Sequence, residues 1–176
     1  MKITKLLFLA VAVFFLSCGD DKDEDPAPTG DLAGTWNMTA IDYAGTSTVA
    51  MMGIESKSTF TGTGKEMNLT VTFTEDPNKF TSQGDYVIAL KTTTQGQTIN
   101  SDFPIEGFMS DGTWSVNGKT LTIEGDGGKQ EATIIEQTAT TLKMKWDYTQ
   151  TTTNTDSGFE VVSTADVKGT YTFTRK

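Results

Sequence analysis

The sequence predicts an all-β domain, an up-and-down antiparallel β-barrel of about eight to ten strands, with a β-sandwich as the alternative. Three observations predict it. Apolar and polar residues alternate with a period of two from residue 34 to the C-terminus, turn residues punctuate that alternation at short intervals, and no segment of helical length carries a 3.6-residue period. Composition agrees: the chain is rich in Thr, with 17 Gly against 4 Pro. Thr on outward strand positions combines β-branched shape with a hydroxyl for water. Short links between consecutive hairpins favour a meander over Greek-key crossovers, and the strand number exceeds the roughly seven of an immunoglobulin-like sandwich.

The first strand is expected over residues 34–43. Residues 44–53 break the pattern, because Val49-Ala-Met-Met-Gly-Ile54 does not alternate. They read as a short helix or flap, with Val49, Met51, Met52 and Ile54 over the mouth of the barrel. A strand over 56–62 follows, then Leu69-Thr-Val71-Thr-Phe73, which ends at the turn signal Glu75-Asp-Pro77-Asn78. Segments 85–94 and 97–108 flank Gln95-Gly96, and 112–116 and 121–124 flank Asn117-Gly118, the preferred pair for a type I′ hairpin. Gly125-Asp-Gly-Gly128 leads into 129–136. The clearest alternation is Leu142-Lys-Met144-Lys-Trp146-Asp-Tyr148, where every second residue is large and apolar. The chain closes with 158–167, a turn expected at Val167-Lys-Gly169, and Tyr171-Thr-Phe173-Thr-Arg175.

Ahead of this domain, Lys2 and Lys5 precede an 11-residue apolar run from Leu6 to Leu16, which Ser17-Cys18-Gly19 terminates. A helix rising about 1.5 Å per residue needs roughly 20 residues to cross a bilayer. The run therefore reads as the h-region of an export signal, residues 1–17. Cys18, the chain's one cysteine, follows a small residue at the end of that region and resembles the lipobox of bacterial lipoproteins, with Phe15 where Leu is usual. The resemblance implies that Cys18 carries fatty acyl chains such as palmitate and becomes the mature N-terminus. Residues 18–31 then form an acidic linker, Asp20 to Asp25 followed by Pro26-Ala-Pro28. Its charged run looks like the tag that sends some lipoproteins to the outer face of the outer membrane, or serves as a plain spacer. The implied location is the outer membrane, lipid-anchored, at its periplasmic face or, preferably, the cell surface.

Removing 17 of 176 residues leaves 159, and the region 32–176 is one domain by length. With Lys2 and Lys5 gone, 12 Lys+Arg face 23 Asp+Glu, a net charge of −11. Such acidity excludes nucleic acid as the expected partner and leaves membrane attachment to the acyl chains. The chain is expected to be a monomer.

The residues that would carry chemistry are missing. Without His, the Ser-His-Asp and Cys-His mechanisms are excluded, and zinc and copper lose their usual ligands. Asp21-Lys-Asp23-Glu-Asp25 begins like a calcium loop, but Pro26 stands where Gly is needed and Leu32 where Glu is needed. Gly112 to Gly118-Lys119-Thr120 brushes against a phosphate-binding loop, with five residues between the glycines instead of four. Asp85, Asp102, Glu106 and Asp111 fall near strand ends and read as solvated loop acids. No catalytic residue, metal or cofactor is assigned, and the chain is not expected to be an enzyme.

Gly34-Thr35-Trp36 opens the first strand, and Arg175 closes the last. Together they resemble a lipocalin, whose first strand carries a Gly-x-Trp motif and whose last strand sends an Arg across the indole. A second Gly-Thr-Trp at 112–114 resembles the small lipocalin-like domains of bacterial outer-membrane lipoproteins. The resemblance covers roughly 32–176 and implies that Gly34, Trp36 and Arg175 form a plug at one end of the barrel. The Thr-Asp-Tyr element of typical lipocalins has no counterpart, since Trp146-Asp-Tyr148 sits inside a strand pattern.

A barrel of eight strands is just wide enough to be filled by side chains or to hold one small ligand. Tyr86, Met144, Trp146 and Tyr148 are the expected wall of a site for a small hydrophobic or amphipathic molecule, because soft Met and flat aromatic surfaces accept apolar ligands and Tyr hydroxyls orient them. The competing expectation is an envelope interaction module with a filled interior. An apolar cavity above roughly 300 Å³ separates the two.

Overall fold

A computed structural model describes residues 30–109, 111–155 and 158–176; the export signal, Cys18 and most of the acidic linker lie outside the described residues. Eleven strands and no helix make up the described chain. They are β1 (Gly34–Met51), β2 (Ile54–Lys65), β3 (Thr70–Thr74), β4 (Lys79–Gln83), β5 (Asp85–Thr94), β6 (Gln97–Glu106), β7 (Gly112–Asn117), β8 (Thr120–Gly125), β9 (Gly128–Gln137), β10 (Thr141–Asn154) and β11 (Val161–Arg175).

Every pairing is antiparallel, and β11 returns to pair with β1 from Trp36↔Arg175 to Met51↔Val161. The lower part of the molecule is thus a closed ring of eight, β1-β3-β4-β7-β8-β9-β10-β11. Above it, β2, β5 and β6 continue the lines of β3, β4 and β7 and add to the upper half of β1. Three of the eight meander strands are therefore long and broken once each, at 66–69, at Gly84 and after Glu106. The breaks sit at one height, tied by hydrogen bonds from Asn68 N to Asp85 O and from Gly107 N to Gly84 O, each 2.9 Å. Gly84 turns at φ +104°, and any side chain there would strike the Asn68 carbonyl.

The lower ring is packed solid. Trp36, Phe73, Phe80, Phe173, Leu121 and Leu142 are wholly buried across it. Its open end is stoppered by Trp36. The indole Nε1 donates to Leu32 O at 3.0 Å, and the Arg175 guanidinium lies 4.2 Å from the ring centroid. Arg175 spends its donors on main-chain carbonyls: Nε on Ala139 at 2.8 Å, Nη1 on Ala33 at 2.7 Å, and Nη2 on Asp31. Gly34 makes room for it, since its φ is +131° and a Cβ would lie 2.5 Å from Arg175 Nη1.

The alternation-based reading needs four corrections. Residues 44–53 form neither helix nor flap: β1 runs to Met51, Met52-Gly53 turn, and β2 starts at Ile54. Val167-Lys-Gly169 is no turn, because β11 passes straight through it. A strand was missing at Lys79–Gln83, whose Phe80 is wholly buried. Val116, which alternation with Trp114 puts on the inward side of its strand, is 40% exposed at the lower rim.

The plug generates a stability prediction. Lys at position 175 keeps a charge but cannot span three carbonyls, so Arg175→Lys should cost about 2–4 kcal/mol, read as a lower denaturant midpoint. A loss within about 0.5 kcal/mol would show that the plug is incidental to the fold.

Candidate ligand-binding site

Above the packed layers the barrel is hollow. A cavity of about 350 Å³ is lined by Ile41, Tyr43, Phe60, Tyr86, Ile88, Leu90, Ile105, Phe108, Trp146, Tyr148, Val167 and Tyr171. Seven of these twelve side chains are aromatic, and all four tyrosines of the protein are among them. The lining contains no carboxylate, Lys or Arg.

Strand register shows how a hollow is made from large residues. Along one row of the inner face, Trp146 pairs with Gly169, Gly169 with Tyr43, Tyr43 with Gly62, and Gly62 with Leu90. In the row above, Tyr148 pairs with Val167, Val167 with Gly45, and Gly45 with Phe60. Large rings thus alternate with glycines. A Cβ at Gly62 would collide with the Tyr43 ring, one at Gly45 with Phe60, and one at Gly169 with the ring and hydroxyl of Tyr171. These three aromatics therefore lie over glycines against the sheet instead of standing into the lumen, and the axis stays open.

The floor comes from the connection between β6 and β7. Phe108 packs its ring 5.7 Å from Phe173 below, 5.7 Å from Trp146 and 5.0 Å from Tyr171. Trp146 and Tyr148 stack at 4.9 Å along the β10 wall. Tyr148, 37% exposed, stands where the cavity meets the outer concavities of the β10–β11 face.

Of the expected wall residues, the structure brings Tyr86, Trp146 and Tyr148 together in the lining. Met144 lies one step lower, wholly buried and outside it. Reading missed Tyr43 and Ile41 because of a β-bulge: the register shifts between Met38 and Ala40, so the inward set changes from even to odd positions. Phe108, expected at the end of a strand over 97–108, lies instead in the link to β7, because β6 stops at Glu106. Gly34, Trp36 and Arg175 meet at the opposite end, as described above. Among the described residues no group of three or more acidic or Cys side chains could hold a metal ion.

Polar atoms in the cavity are poorly served by the protein. Trp36 and Trp114 donate their indole N–H groups to the carbonyls of Leu32 and Thr74 at 3.0 and 2.8 Å. Trp146 makes no such bond, and none of the four tyrosine hydroxyls takes a partner among the described residues. None of these five groups is sealed from open space either. Burial, reinforced by the neighbouring Tyr148 phenol, pushes the Tyr43 and Tyr86 hydroxyls up to about 12. Burial raises Tyr171 further and Tyr148 as well. All four are neutral phenols at physiological pH, able to donate but not to act as bases.

A sequence model described as a lipocalin-like domain matches residues 32–144. The chain belongs to the lipocalin-like domain family. The match ends within β10, so Trp146, Tyr148, Val167, Tyr171 and Arg175 are contributed by the part of the barrel beyond it. No curated protein and no solved structure matches the chain. A lipocalin-like barrel suggests small-molecule binding, and the hollow upper half is where this one has space for it.

The raised phenols make a pH prediction. A folded pKa above the unfolded value of about 10 gives stability that is whole below pH ~10 and lost as pH climbs through ~12. At pH ~11 a free Tyr is about nine-tenths ionised. Folded protein should show far less tyrosinate absorbance there than urea-unfolded protein. Equal absorbance in both would mean that the phenols are open to bulk water.

Proposed function

We propose that this protein is a lipid-anchored binding protein of the bacterial outer membrane, preferably at the cell surface, which captures a small hydrophobic or amphipathic molecule in the upper barrel. One observation carries the reading. The cavity of about 350 Å³ exceeds the roughly 300 Å³ at which drug-sized sites begin, and it is apolar with a few polar atoms. A barrel acting only as an interaction module would gain stability from filling that space, since each lost contact in a void costs energy. Here three glycines keep the space open instead. No carboxylate or Lys lines the cavity to serve as a general base, which supports binding over catalysis.

The tether rests on sequence. The apolar run before Cys18 and the acidic segment after it support acylation of the cysteine and a solvated spacer. Extended at about 3.3 Å per residue, residues 19–31 reach about 40 Å, enough to hold the barrel clear of headgroups. With a net negative charge, the domain gains nothing from anionic lipid, so acyl chains are the anchor.

Prodan, a neutral fluorophore that shifts to the blue in apolar surroundings, should bind at one site per barrel. Gly62→Ala drives a methyl into the Tyr43 ring and pushes it toward the lumen, so it should weaken prodan about tenfold while circular dichroism stays unchanged. Absence of a saturable blue shift in the wild type would end the capture reading. Independently, Cys18→Ala should abolish incorporation of labelled fatty acid and release the protein from the membrane fraction. Retention of both would overturn the anchor.

A further inference from the structure

Five of the side chains that line the cavity carry a polar hydrogen that takes no partner among the described residues: the hydroxyls of Tyr43, Tyr86, Tyr148 and Tyr171 and the indole N–H of Trp146. The indole can only donate, and a phenol donates more readily than it accepts. The other two tryptophans, which belong to the packed part of the fold, are each bonded to a carbonyl. Among the described aromatic side chains with a donor, those lacking a protein acceptor thus all belong to the cavity lining. Each of the five keeps access to open space, where water can serve it, so a ligand that displaces that water must bring acceptors of its own or lose those hydrogen bonds.

Charge narrows the choice. No Lys or Arg lines the cavity, so a carboxylate or phosphate entering it would lose its water without gaining a counter-charge. The chain's net charge of −9 adds to that penalty. A cation would find aromatic faces, yet it carries no acceptor for the five donors and no carboxylate stands in the lining to neutralise it. Shape narrows it again. Tyr43, Phe60 and Tyr171 lie against the sheet over glycines, and Trp146 and Tyr148 stack with ring planes 36° apart. Such walls fit a flat body better than a coiled acyl chain.

We propose that the occupant is an electrically neutral, flat ring compound whose oxygen atoms accept hydrogen bonds from this Tyr and Trp set, as a quinone or oxygenated fused-ring molecule would. This rests on the capture reading above and specifies its ligand. Tyr86 and Tyr171, the most buried of the hydroxyl-bearing side chains, are the specificity-determining residues for the acceptors.

The test compares four probes on one ring scaffold by calorimetry or equilibrium dialysis: methylnaphthalene, menadione with its two carbonyls, naphthoate, and naphthyltrimethylammonium. Menadione should bind at least tenfold more tightly than methylnaphthalene, and both charged probes more weakly than menadione. One hydrogen bond of 0.5–1.5 kcal/mol corresponds to roughly 2- to 12-fold in affinity. Tyr86→Phe and Tyr171→Phe, which keep the ring, should each shrink the menadione-to-methylnaphthalene ratio by about that factor. Methylnaphthalene binding as tightly as menadione, or the ammonium or naphthoate probe binding best, would overturn the ligand class while leaving capture standing. If none of the four binds, this inference falls; prodan binding in the same sample would leave capture standing, and its absence would end capture too.

Discussion

The pairing of β1 with β11 is the contact on which the remaining structure depends. Without it the meander is an open sheet, its lower edges bare and its two faces both wet. Closure gives the lower ring an inside. It also brings residues 34–36 against 173–175, so the Arg175 guanidinium reaches the carbonyls of Asp31, Ala33 and Ala139 while lying over the Trp36 ring. Those contacts join the start of the domain, the β9–β10 link and the last strand at one point. Since the partners are more than 100 residues apart in the chain for Asp31 and Ala33, closure must await most of the other pairings.

Closure fixes the diameter, and the diameter poses a packing choice that the sequence settles differently at the two ends. Eight strands enclose a lumen that large side chains can fill. Below the line of strand breaks they do: Trp36, Phe73, Phe80 and Phe173 are all wholly buried, with Phe73 packed on Phe80 at 5.1 Å. Above it, aromatic rings are more numerous, four of them tyrosines, but Gly45, Gly62 and Gly169 stand beside three of them on the inner face. Phe60, Tyr43 and Tyr171 occupy the space of those missing side chains and leave the axis empty. Aromatic content alone therefore does not decide whether a barrel is solid; the placement of small residues next to the rings does.

That distinction explains what could be read in advance. Period-two alternation gave the all-β class, the meander and most strand positions, because one wet face and one dry face leave a direct mark on residue order. The plug was legible through the resemblance of Gly34-Thr35-Trp36 and Arg175 to the lipocalin pattern; the positive φ of Gly34 and the guanidinium over the indole show why those residue types suit the place. Tyr86, Trp146 and Tyr148 were found because they keep phase with their strands. Tyr43 was not, because the bulge at Thr39 inverts the phase of β1 halfway along, and nothing local in Met38-Thr-Ala-Ile41 announces a bulge. Gly169 misled in the opposite sense: glycine is a turn signal in isolation, whereas here it is space for Tyr171. Only cross-strand register, which a single sequence does not display, tells the two uses apart.

Register also explains the segment that resisted alternation. Val49 and Met51 share the inward phase of Tyr43; Ile54 shares that of Phe60; Phe103 and Ile99 pair with Ile88 and Thr92 on the same face. All five point into the barrel's extension, yet they are 39–73% exposed. The reason is the unequal height of the walls. β8 and β9 turn at Gly125–Gly128, while β10, β11, β1, β2, β5 and β6 continue upward, and among the described residues β6 pairs with β5 alone and β10 beyond Lys145 with β11 alone. The tall side lacks an opposing wall, so its inner face meets water. The cavity accordingly opens sideways, over the β8–β9 hairpin, across an apolar apron that ends at Tyr148. On the capture proposed above, a molecule entering from that side would lose water over Ile99, Phe103 and Met51 before reaching the hydroxyls, so hydrophobic burial would come first and hydrogen bonding would select afterwards.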